Sequence, residues 1–334
     1  MNHILTISPY AGDGTSFYRA AGVIPFLKKE YNDITITDLS HRNDLDWNDY
    51  VGYNVVILQR PFNDQHLKTI TLLKKLNTKV IIDYDDDLLN LDSHNPYFAG
   101  YTRSKDNIEA ICSLADEIWV STESLMKTFS VYNENITIIP NAHNDYLFPI
   151  KEKRKFNINT KKVSYRGGKT HELDVYNHFE EWLSIINDNQ DFEFSFLGAR
   201  FPYLETKCGD NYLIVEGLHI MEYFNYFFNL SPNIFIYPLE DTKFNQGKSN
   251  ISWIEATYAG AVVLAPNNIN EFLGKPGMLN FNEKFIDMFN RIKTDYKVLE
   301  ILNELSWTYI QNNLLLSQVN QLRYNSILDV QKRK

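Results

Sequence analysis

The sequence has few cysteines and no long apolar run. Its 334 residues include only Cys112 and Cys208, too few for a disulfide framework, which favours a reducing compartment. No apolar stretch approaches the roughly 20 residues that a membrane-spanning helix needs. The apolar run at residues 4–7 stops at Ser8-Pro9 and lacks the basic flank that is typical of a signal peptide. We therefore expect a soluble, intracellular protein.

Positive charge is also in deficit. The chain carries 33 Lys and Arg against 42 Asp and Glu, a net charge of −9, which argues against coating nucleic acid through bulk charge but leaves a local basic groove open. Apolar residues at 44% and charged residues at 22% exclude disordered and fibrous classes. Aromatic residues reach 14%, which indicates either an aromatic-rich core or a surface on which sugars or bases stack.

Short apolar strands alternate with helical patterns along the whole chain. This alternation predicts parallel pairing and an α/β fold with doubly wound sheets. A polar, aperiodic stretch at residues 151–162 interrupts it and is typical of a linker. We therefore predict two Rossmann-like domains facing each other across a cleft: residues 1–150, then the linker 151–162, then 163–282. Residues 283–334 are predicted to be helical and to pack back on the first domain.

The first candidate site is the turn that holds Gly12 and Gly14, between the first strand and a helix predicted over residues 15–30. Such a turn presents backbone N–H groups to an anion, or it simply connects the two elements. Its spacing is not that of a dinucleotide-binding fingerprint, which makes a nicotinamide-dependent dehydrogenase the least favoured function.

The second candidate is the acidic run at residues 83–87, directly after a buried strand. Carboxylates at the carboxyl end of a parallel strand repel one another unless something offsets their charge. Four interpretations stay open: a divalent-metal (Mg²⁺ or Mn²⁺) site, a phosphatase-like Asp83-x-Asp85 nucleophile, acceptor binding combined with helix capping, or a solvated acidic turn.

Two further candidates lie in the second half. The turn at residues 165–171 (YRGGKTH) combines two glycines with Arg and Lys, which predicts a diphosphate site or else a surface turn capped by Thr170. The segment at residues 244–255 places Lys248 where a helix begins, a position that is better explained by a bound phosphate than by a lone cation. Glu255 lies further into that helix and is either a ribose ligand or a solvated side chain.

Together these segments resemble GT-B glycosyltransferases of the glycogen-synthase-like, retaining group. The resemblance rests on ADEIWVSTE at residues 115–123, IIPNA at 138–142, LEDTKFNQGKSNISWIE at 239–255 and GAVVLA at 260–265. It implies a nucleotide-diphospho-sugar donor, with UDP-sugar favoured, and no obligatory metal. One departure concerns the sugar: the first of two glutamates that the group carries falls at Gly247, which has no side chain.

The resemblance also implies residue roles. Glu255 would bind the ribose, and the other donor-binding residues would be Gly14, Thr15, Arg166, Gly167, Gly168, Lys169, Lys248, Ser249 and Asn250. The catalytic set would be Asp85, Asp86 and Lys248. Acceptor binding would involve Tyr18, Arg19 and Asp87.

The expected reaction is transfer of a sugar to a hydroxyl acceptor with retention at the anomeric carbon. Similar small proteins act in bacterial surface-polysaccharide pathways or glycosylate hydroxymethylated phage DNA, so a glycan and a modified DNA base are both open as acceptors. They also imply the cytoplasm of a bacterial or phage-infected cell. The alternative is an inactive homologue that only binds sugar or nucleotide. The sequence leaves the oligomeric state open.

Overall fold

The computed structural model describes residues 2–8, 13–40, 42, 45–198, 200–205 and 207–333. It contains two six-stranded sheets, and every strand pairing that it records is parallel. The first sheet has the order β2-β1-β3-β4-β5-β6 and the second has the order β12-β11-β10-β7-β8-β9. The predicted fold class, two doubly wound α/β units, is confirmed.

The strands of the first sheet are β1 (Asn2–Ile7), β2 (Ile34–Asp38), β3 (Val55–Gln59), β4 (Lys79–Tyr84), β5 (Glu117–Val120) and β6 (Ile136–Ile138). Those of the second are β7 (Lys162–Gly167), β8 (Glu193–Gly198), β9 (Tyr212–Glu216), β10 (Ile234–Ile236), β11 (Val262–Pro266) and β12 (Leu279–Phe281). The helices around the first sheet are α1 (Gly14–Arg19), α2 (Ile24–Glu30), α3 (Asp64–Lys75), α4 (Phe98–Arg103), α5 (Lys105–Leu114) and α6 (Glu123–Phe129). The later helices are α7 (Glu172–Asn177), α8 (Phe179–Asp188), α9 (Pro202–Glu205), α10 (Ile220–Leu230), α11 (Lys243–Gln246), α12 (Ile251–Ala259), α13 (Phe285–Ile292), α14 (Tyr296–Asn313) and α15 (Leu316–Lys332).

The strands are apolar on both faces because helices cover both sides of each sheet. In β3, Val56 and Leu58 belong to one core cluster, whereas the alternate residues Val55 and Ile57 belong to the cluster on the opposite face. A strand that is buried on both faces reads as a continuous apolar run, which is why β3 and β4 stand out in the sequence. The aromatic residues mostly follow the core interpretation, since rings such as Trp182 are fully buried around the second sheet.

Several predicted elements are divided in the structure. The helix expected over residues 15–30 is two helices, because Gly22 lies where a Cβ would be 2.4 Å from the carbonyl oxygen of Phe17, and because Pro25 opens α2. The helical stretch at residues 172–188 likewise divides at His178, into α7 and α8. Strands β9 and β12, which the sequence did not predict, are the two edge strands of the second sheet; β9 is only partly buried and β12 has three residues.

The chain passes between the two sheets twice. It crosses first over residues 139–161 and returns at Leu314–Leu315, after which α15 packs its apolar face on the first sheet. The indole of Trp119 donates to Ser326 Oγ at 2.8 Å, and the ring of Tyr324 stacks on Tyr31. The two crossings are hydrogen-bonded to each other. The backbone N–H of His143 donates to the carbonyl of Leu314 at 2.8 Å, and the carbonyl of His143 accepts from the N–H of Leu316 at 2.8 Å.

Within the described residues, none of the helices combines the length and the apolar character that crossing a bilayer requires.

Candidate active site

A cavity of about 470 Å³ lies between the two sheets, which we call the cleft cavity. Residues from both halves of the chain line it, at the carboxyl ends of strands, where ligands of open α/β sheets bind. Its polar and charged lining residues are Asp13, Thr15, Tyr18, Arg60, Asp85, Asp86, Asn95, Tyr97, Tyr101, Arg166, Thr170, His171, Tyr237, Lys248, Ser249 and Ser252.

A second cavity of about 290 Å³, the side pocket, opens from the cleft cavity. The two share Asp13, Gly14, Arg166 and Gly168, so they adjoin each other. Glu255 lies in the side pocket. The other side-pocket residues are Gly167, Leu197, Gly198, Val215, Leu218, Ile220 and Tyr223. Lys248 in the cleft cavity and Glu255 in the side pocket are therefore on either side of Arg166, which lines both cavities.

Glu255 accepts hydrogen bonds from three side chains. It is only 3% exposed, which excludes the solvated alternative. Its Oε1 accepts from the Tyr18 hydroxyl at 2.7 Å. Its Oε2 accepts from the Tyr223 hydroxyl at 2.7 Å and from Arg166 Nη2 at 2.7 Å and Nε at 3.2 Å. Burial and the neighbouring carboxylate raise the pKa of Tyr18 well above its usual range, so its hydroxyl keeps the proton that it donates.

The Tyr18 hydroxyl reaches the second half of the molecule from the first. It bonds to Glu255, which lines the side pocket, whereas the sequence predicted an acceptor contact for Tyr18. Helix α1 directs Tyr18 across the cleft into the core of the second half, while the side chain still lines the cleft cavity, so the acceptor contact stays a prediction.

Asp85 and Asp86 also lie in the cleft cavity, where two cations neutralise them. Arg60 Nε donates to Asp85 Oδ1 at 2.6 Å, and the Arg60 guanidinium also pairs with Asp86. Lys248 Nζ reaches Asp86 Oδ1 from the second half at 2.8 Å and lies over the ring of Phe244.

The two carboxylates differ in their proton affinity. Burial raises the pKa of Asp85, and the pairing with Arg60 offsets only part of that rise. Burial opposes ionisation of Asp86 as well, but Lys248 and Arg60 outweigh it and lower the pKa of Asp86 to about 2. Asp85 is therefore the stronger base of the pair, and Asp86 remains an anion.

The acidic run does not fit a metal site. Asp83 is paired with Arg19 at 2.9 Å, and Asp87 accepts from Asn90 and Thr128, so the carboxylates of this run turn to separate partners. Among the residues that the structure describes, no three His, Cys, Asp or Glu side chains gather as metal ligands. The phosphatase-like interpretation fails for the same reason, because Asp83 is buried in its ion pair and outside the cleft lining. The solvated-turn interpretation is also wrong, since these side chains are mostly buried.

Three predicted ligand-binding residues face the protein interior. Arg19 is 3% exposed and bonds to Asp83, to the carbonyl of Ile139 and to Asn141, so it supports the sheet and does not reach an acceptor. Asp87 is buried against α6 and is absent from the cleft lining. Asn250 is buried as well, its amide donates to Glu271 at 3.0 Å, and it lines neither the cleft cavity nor the side pocket.

The glycine turn after β7 borders both cavities. An added Cβ at Gly168 would meet nothing within 4 Å, so its backbone is open to a ligand, whereas at Gly167 a Cβ would lie 2.1 Å from the Tyr165 hydroxyl. Gly198 has a φ of +107° and would bring a Cβ within 2.6 Å of the Gly167 carbonyl, so no side chain is tolerated there. Lys169 was predicted on this wall but is exposed and lines a different pocket, described below.

The remaining donor-site candidates lie at the cavities. Gly14 borders both cavities and approaches Ile220, while Thr15 and Ser249 line the cleft cavity. Ser249 Oγ accepts from the amide of Asn141 at 2.9 Å. Gly12, in the same turn as Gly14, lies outside the described residues.

Comparison with known proteins gives structural likeness only. Neither a scan against protein-family models nor a search of curated proteins gave a match. Among solved structures, an alpha-glucosyltransferase in complex with UDP-glucose and DNA containing an abasic site is 12% identical, with a TM-score of 0.64 over 98% of each chain. HepE from Anabaena in complex with UDP-glucose is 11% identical, with a TM-score of 0.64 over 98% of this chain and 99% of that one. A UDP-GlcNAc 2-epimerase from Neisseria meningitidis, bound to UDP-GlcNAc, is 11% identical, with a TM-score of 0.59 over 98% of this chain and 100% of that one.

The chain has the GT-B fold. The epimerase shares this fold with the transferase, so the fold alone leaves the reaction open.

Gly247 lies at the contact between the two halves of the GT-B fold. A Cβ there would come within 2.9 Å of Leu125 Cδ2 and 3.3 Å of Asp87 Cβ, and the Gly247 carbonyl accepts from Thr122 at 3.3 Å. A side chain at this position would therefore displace Leu125. Packing between the halves accounts for the glycine.

The sequence did not single out several residues of this GT-B cleft. Arg60 has a φ of +48° and follows β3, directly beside the strand that carries the acidic run. Tyr223 comes from α10 and completes the contacts of Glu255. The signal for Arg60 was a basic residue at the end of one strand, next to a strand that ends in the acidic run. Nothing in the local sequence distinguishes Tyr223 from the core aromatic residues around it.

Proposed function

We propose that this protein is a glycosyltransferase that moves a sugar from a nucleotide-diphospho-sugar, with UDP-sugar favoured, to a hydroxyl acceptor with retention. The acceptor is a glycan or a hydroxymethylated DNA base in a bacterial or phage-infected cytoplasm. The observation that carries the proposal is the pair of adjoining cavities lined by Lys248 on one side and Glu255 on the other, with Arg166 and the open Gly168 backbone in both. Similar folds in complex with UDP-glucose support the choice of donor.

The diphosphate fits between Arg166, Lys248 and Gly168. Lys248 is the cation that is best able to turn to a phosphate, because Asp86 keeps Arg60 as a second partner when Lys248 leaves it. Arg166 stays anchored to Glu255 while its exposed edge faces the cavity. A diphosphate exchanges one lysine–carboxylate contact for a lysine–phosphate contact and leaves no buried carboxylate without a cation.

The nucleoside fits the side pocket. A carboxylate offers about four acceptor positions, and Glu255 Oε1 uses one of its two for Tyr18, which leaves one for a ribose hydroxyl. The apolar lining from Leu197, Val215 and Leu218 suits the flat face of a base.

In the transfer itself, the bond between the anomeric carbon and the phosphate oxygen breaks while the acceptor oxygen bonds to that carbon. The sugar passes through an oxocarbenium-like state, and negative charge grows on the departing diphosphate. Lys248, once it has turned to the diphosphate, and Arg166, which stays anchored to Glu255, stabilise that charge. Asp85, with its raised pKa, is better suited than Asp86 to take the proton of the acceptor hydroxyl.

A thermal-shift screen against UDP-, GDP-, ADP- and dTDP-sugars, followed by a nucleotide-release assay with product analysis, tests the proposal. We expect a UDP-sugar to stabilise the protein and Lys248→Ala to slow UDP release at least tenfold. The matched control is Lys275→Ala, which removes a comparably buried, ion-paired lysine outside both cavities and should behave as wild type.

The other outcomes identify the alternatives. Nucleotide binding with no release indicates the inactive binding protein, and conversion of the free sugar nucleotide into an epimer indicates an epimerase. Absence of binding by every donor contradicts the proposal.

A further inference from the structure

A third cavity of about 370 Å³, the outer pocket, continues from the cleft cavity toward the surface. The two share Asn95, Thr170 and Phe244, so a molecule that reacts in the cleft can extend directly into the outer pocket. The segment around Asp92 from the first half and helix α7 from the second half both contribute to its wall.

Four polar side chains of this wall are unused by the protein. Asp92, His94, Lys169 and Glu172 make no side-chain hydrogen bond or ion pair within the described residues, in contrast to the fully paired carboxylates of the cleft. They offer both donors and acceptors along one concave surface. Carbohydrate hydroxyls, each of which donates and accepts, match such a mixed set.

An exposed aromatic ring borders the same pocket. Tyr176 is 58% exposed, although its neighbour Tyr203 supports it edge-on at a ring distance of 5.4 Å. A rigid, exposed tyrosine beside a polar pocket provides an apolar face and a polar tip for a ligand that has both characters, as a sugar ring has.

The charge of the pocket disfavours a polyanion. Asp92, Glu172 and Asp174 face it, and Lys169 is the single lysine or arginine among its described lining residues. Affinity for DNA comes chiefly from Lys and Arg contacts to phosphates, and this wall has too few of them.

We propose that the outer pocket binds the acceptor and that the acceptor is an uncharged carbohydrate, whose units beyond the reacting one lie against Tyr176. This inference rests on the proposed function, and it favours the glycan over the modified DNA base. The acceptor site therefore includes α7 of the second half as well as the first half, where the sequence had placed it.

The test uses the full chain and a printed array of neutral and acidic glycans with a hydroxymethylcytosine duplex as a further probe, in the presence of UDP. We expect binding to neutral glycans, and a loss of at least tenfold in that signal for Tyr176→Ala and Glu172→Gln. The matched control is Trp47→Ala, because Trp47 is 55% exposed on the first half and lines neither cavity of the site.

Calorimetry with UDP separates this inference from the proposed function. Tyr176→Ala should keep the wild-type affinity for UDP, since Tyr176 lies outside both donor cavities. Three results would overturn the acceptor inference while the donor site stands. In the first, UDP binds but no neutral glycan does. In the second, the duplex or acidic glycans bind best, and in the third, Trp47→Ala lowers the signal as much as Tyr176→Ala. If UDP itself does not bind, the proposed function fails.

Discussion

Replacing Glu255 should affect stability and donor binding together. The alanine variant leaves the Arg166 guanidinium and two tyrosine hydroxyls without their acceptor. Breaking a buried ion pair costs roughly 3–5 kcal/mol. The Arg166 side chain keeps 27% of its surface exposed, so water compensates part of the loss, and we expect a cost of about 3 kcal/mol for Glu255→Ala.

The glutamine variant separates the two effects. Glu255→Gln keeps the side-chain volume and one oxygen for Tyr18 but turns an amide toward Arg166 and Tyr223, so its cost should be smaller, about 1–2 kcal/mol. If the ribose bonds to Oε1, loss of the charged acceptor should weaken UDP binding about tenfold.

Urea unfolding and calorimetry with UDP measure these effects. With a slope of about 3 kcal/mol per molar urea, Glu255→Ala should unfold at about 1 M less urea than wild type. Glu271→Gln is the control, because Glu271 is also ion-paired, although it is less buried, and it lies outside both cavities. Unfolding midpoints equal to wild type for both Glu255 variants would refute the role of this carboxylate in joining the halves. A wild-type UDP affinity for Glu255→Gln would refute the ribose contact.

Three further predictions concern the cleft. Gly247→Ala should lower the free energy of unfolding by about 1 kcal/mol and slow turnover, because its Cβ meets Leu125. Adding Leu125→Ala should restore part of the stability and part of the turnover. No recovery in the double variant would contradict the contact. Asp86, whose pKa falls from 3.8 to about 2 on folding, should contribute about 2 kcal/mol above pH 5, of which about half is lost by pH 3. The stability difference between wild type and Asp86→Asn in urea should therefore shrink over that range, and a constant difference would argue against the pairing. Lys248→Met should weaken UDP about tenfold but leave uridine binding unchanged, which calorimetry with both ligands can compare; equal losses for both would place Lys248 away from the diphosphate.

Local patterns carried most of the fold prediction. Strands β3, β4 and β11 are continuous apolar runs because both their faces are covered, and such runs are visible without any tertiary information. Short edge strands such as β12 lack that signal, which is why they were missed.

The site was predictable only where a single segment builds it. The turn at Gly168 and the carboxylates of Asp85 and Asp86 lie at strand ends, and their position at the cleft follows from parallel topology. Which side chain pairs with which depends on contacts across the molecule. The Tyr18–Glu255 bond joins residues 237 positions apart, and Arg19 turns inward to Asp83, which no spacing in the sequence reveals.

The two crossings between the halves have a mechanical consequence. Because the strand at His143 is bonded to Leu314 and Leu316, both passages run side by side and form one pivot. Rotation of one half against the other about this pivot would move the far rims of the cleft most and the pivot residues least. Severing the chain at one passage would leave the other passage to join the two halves.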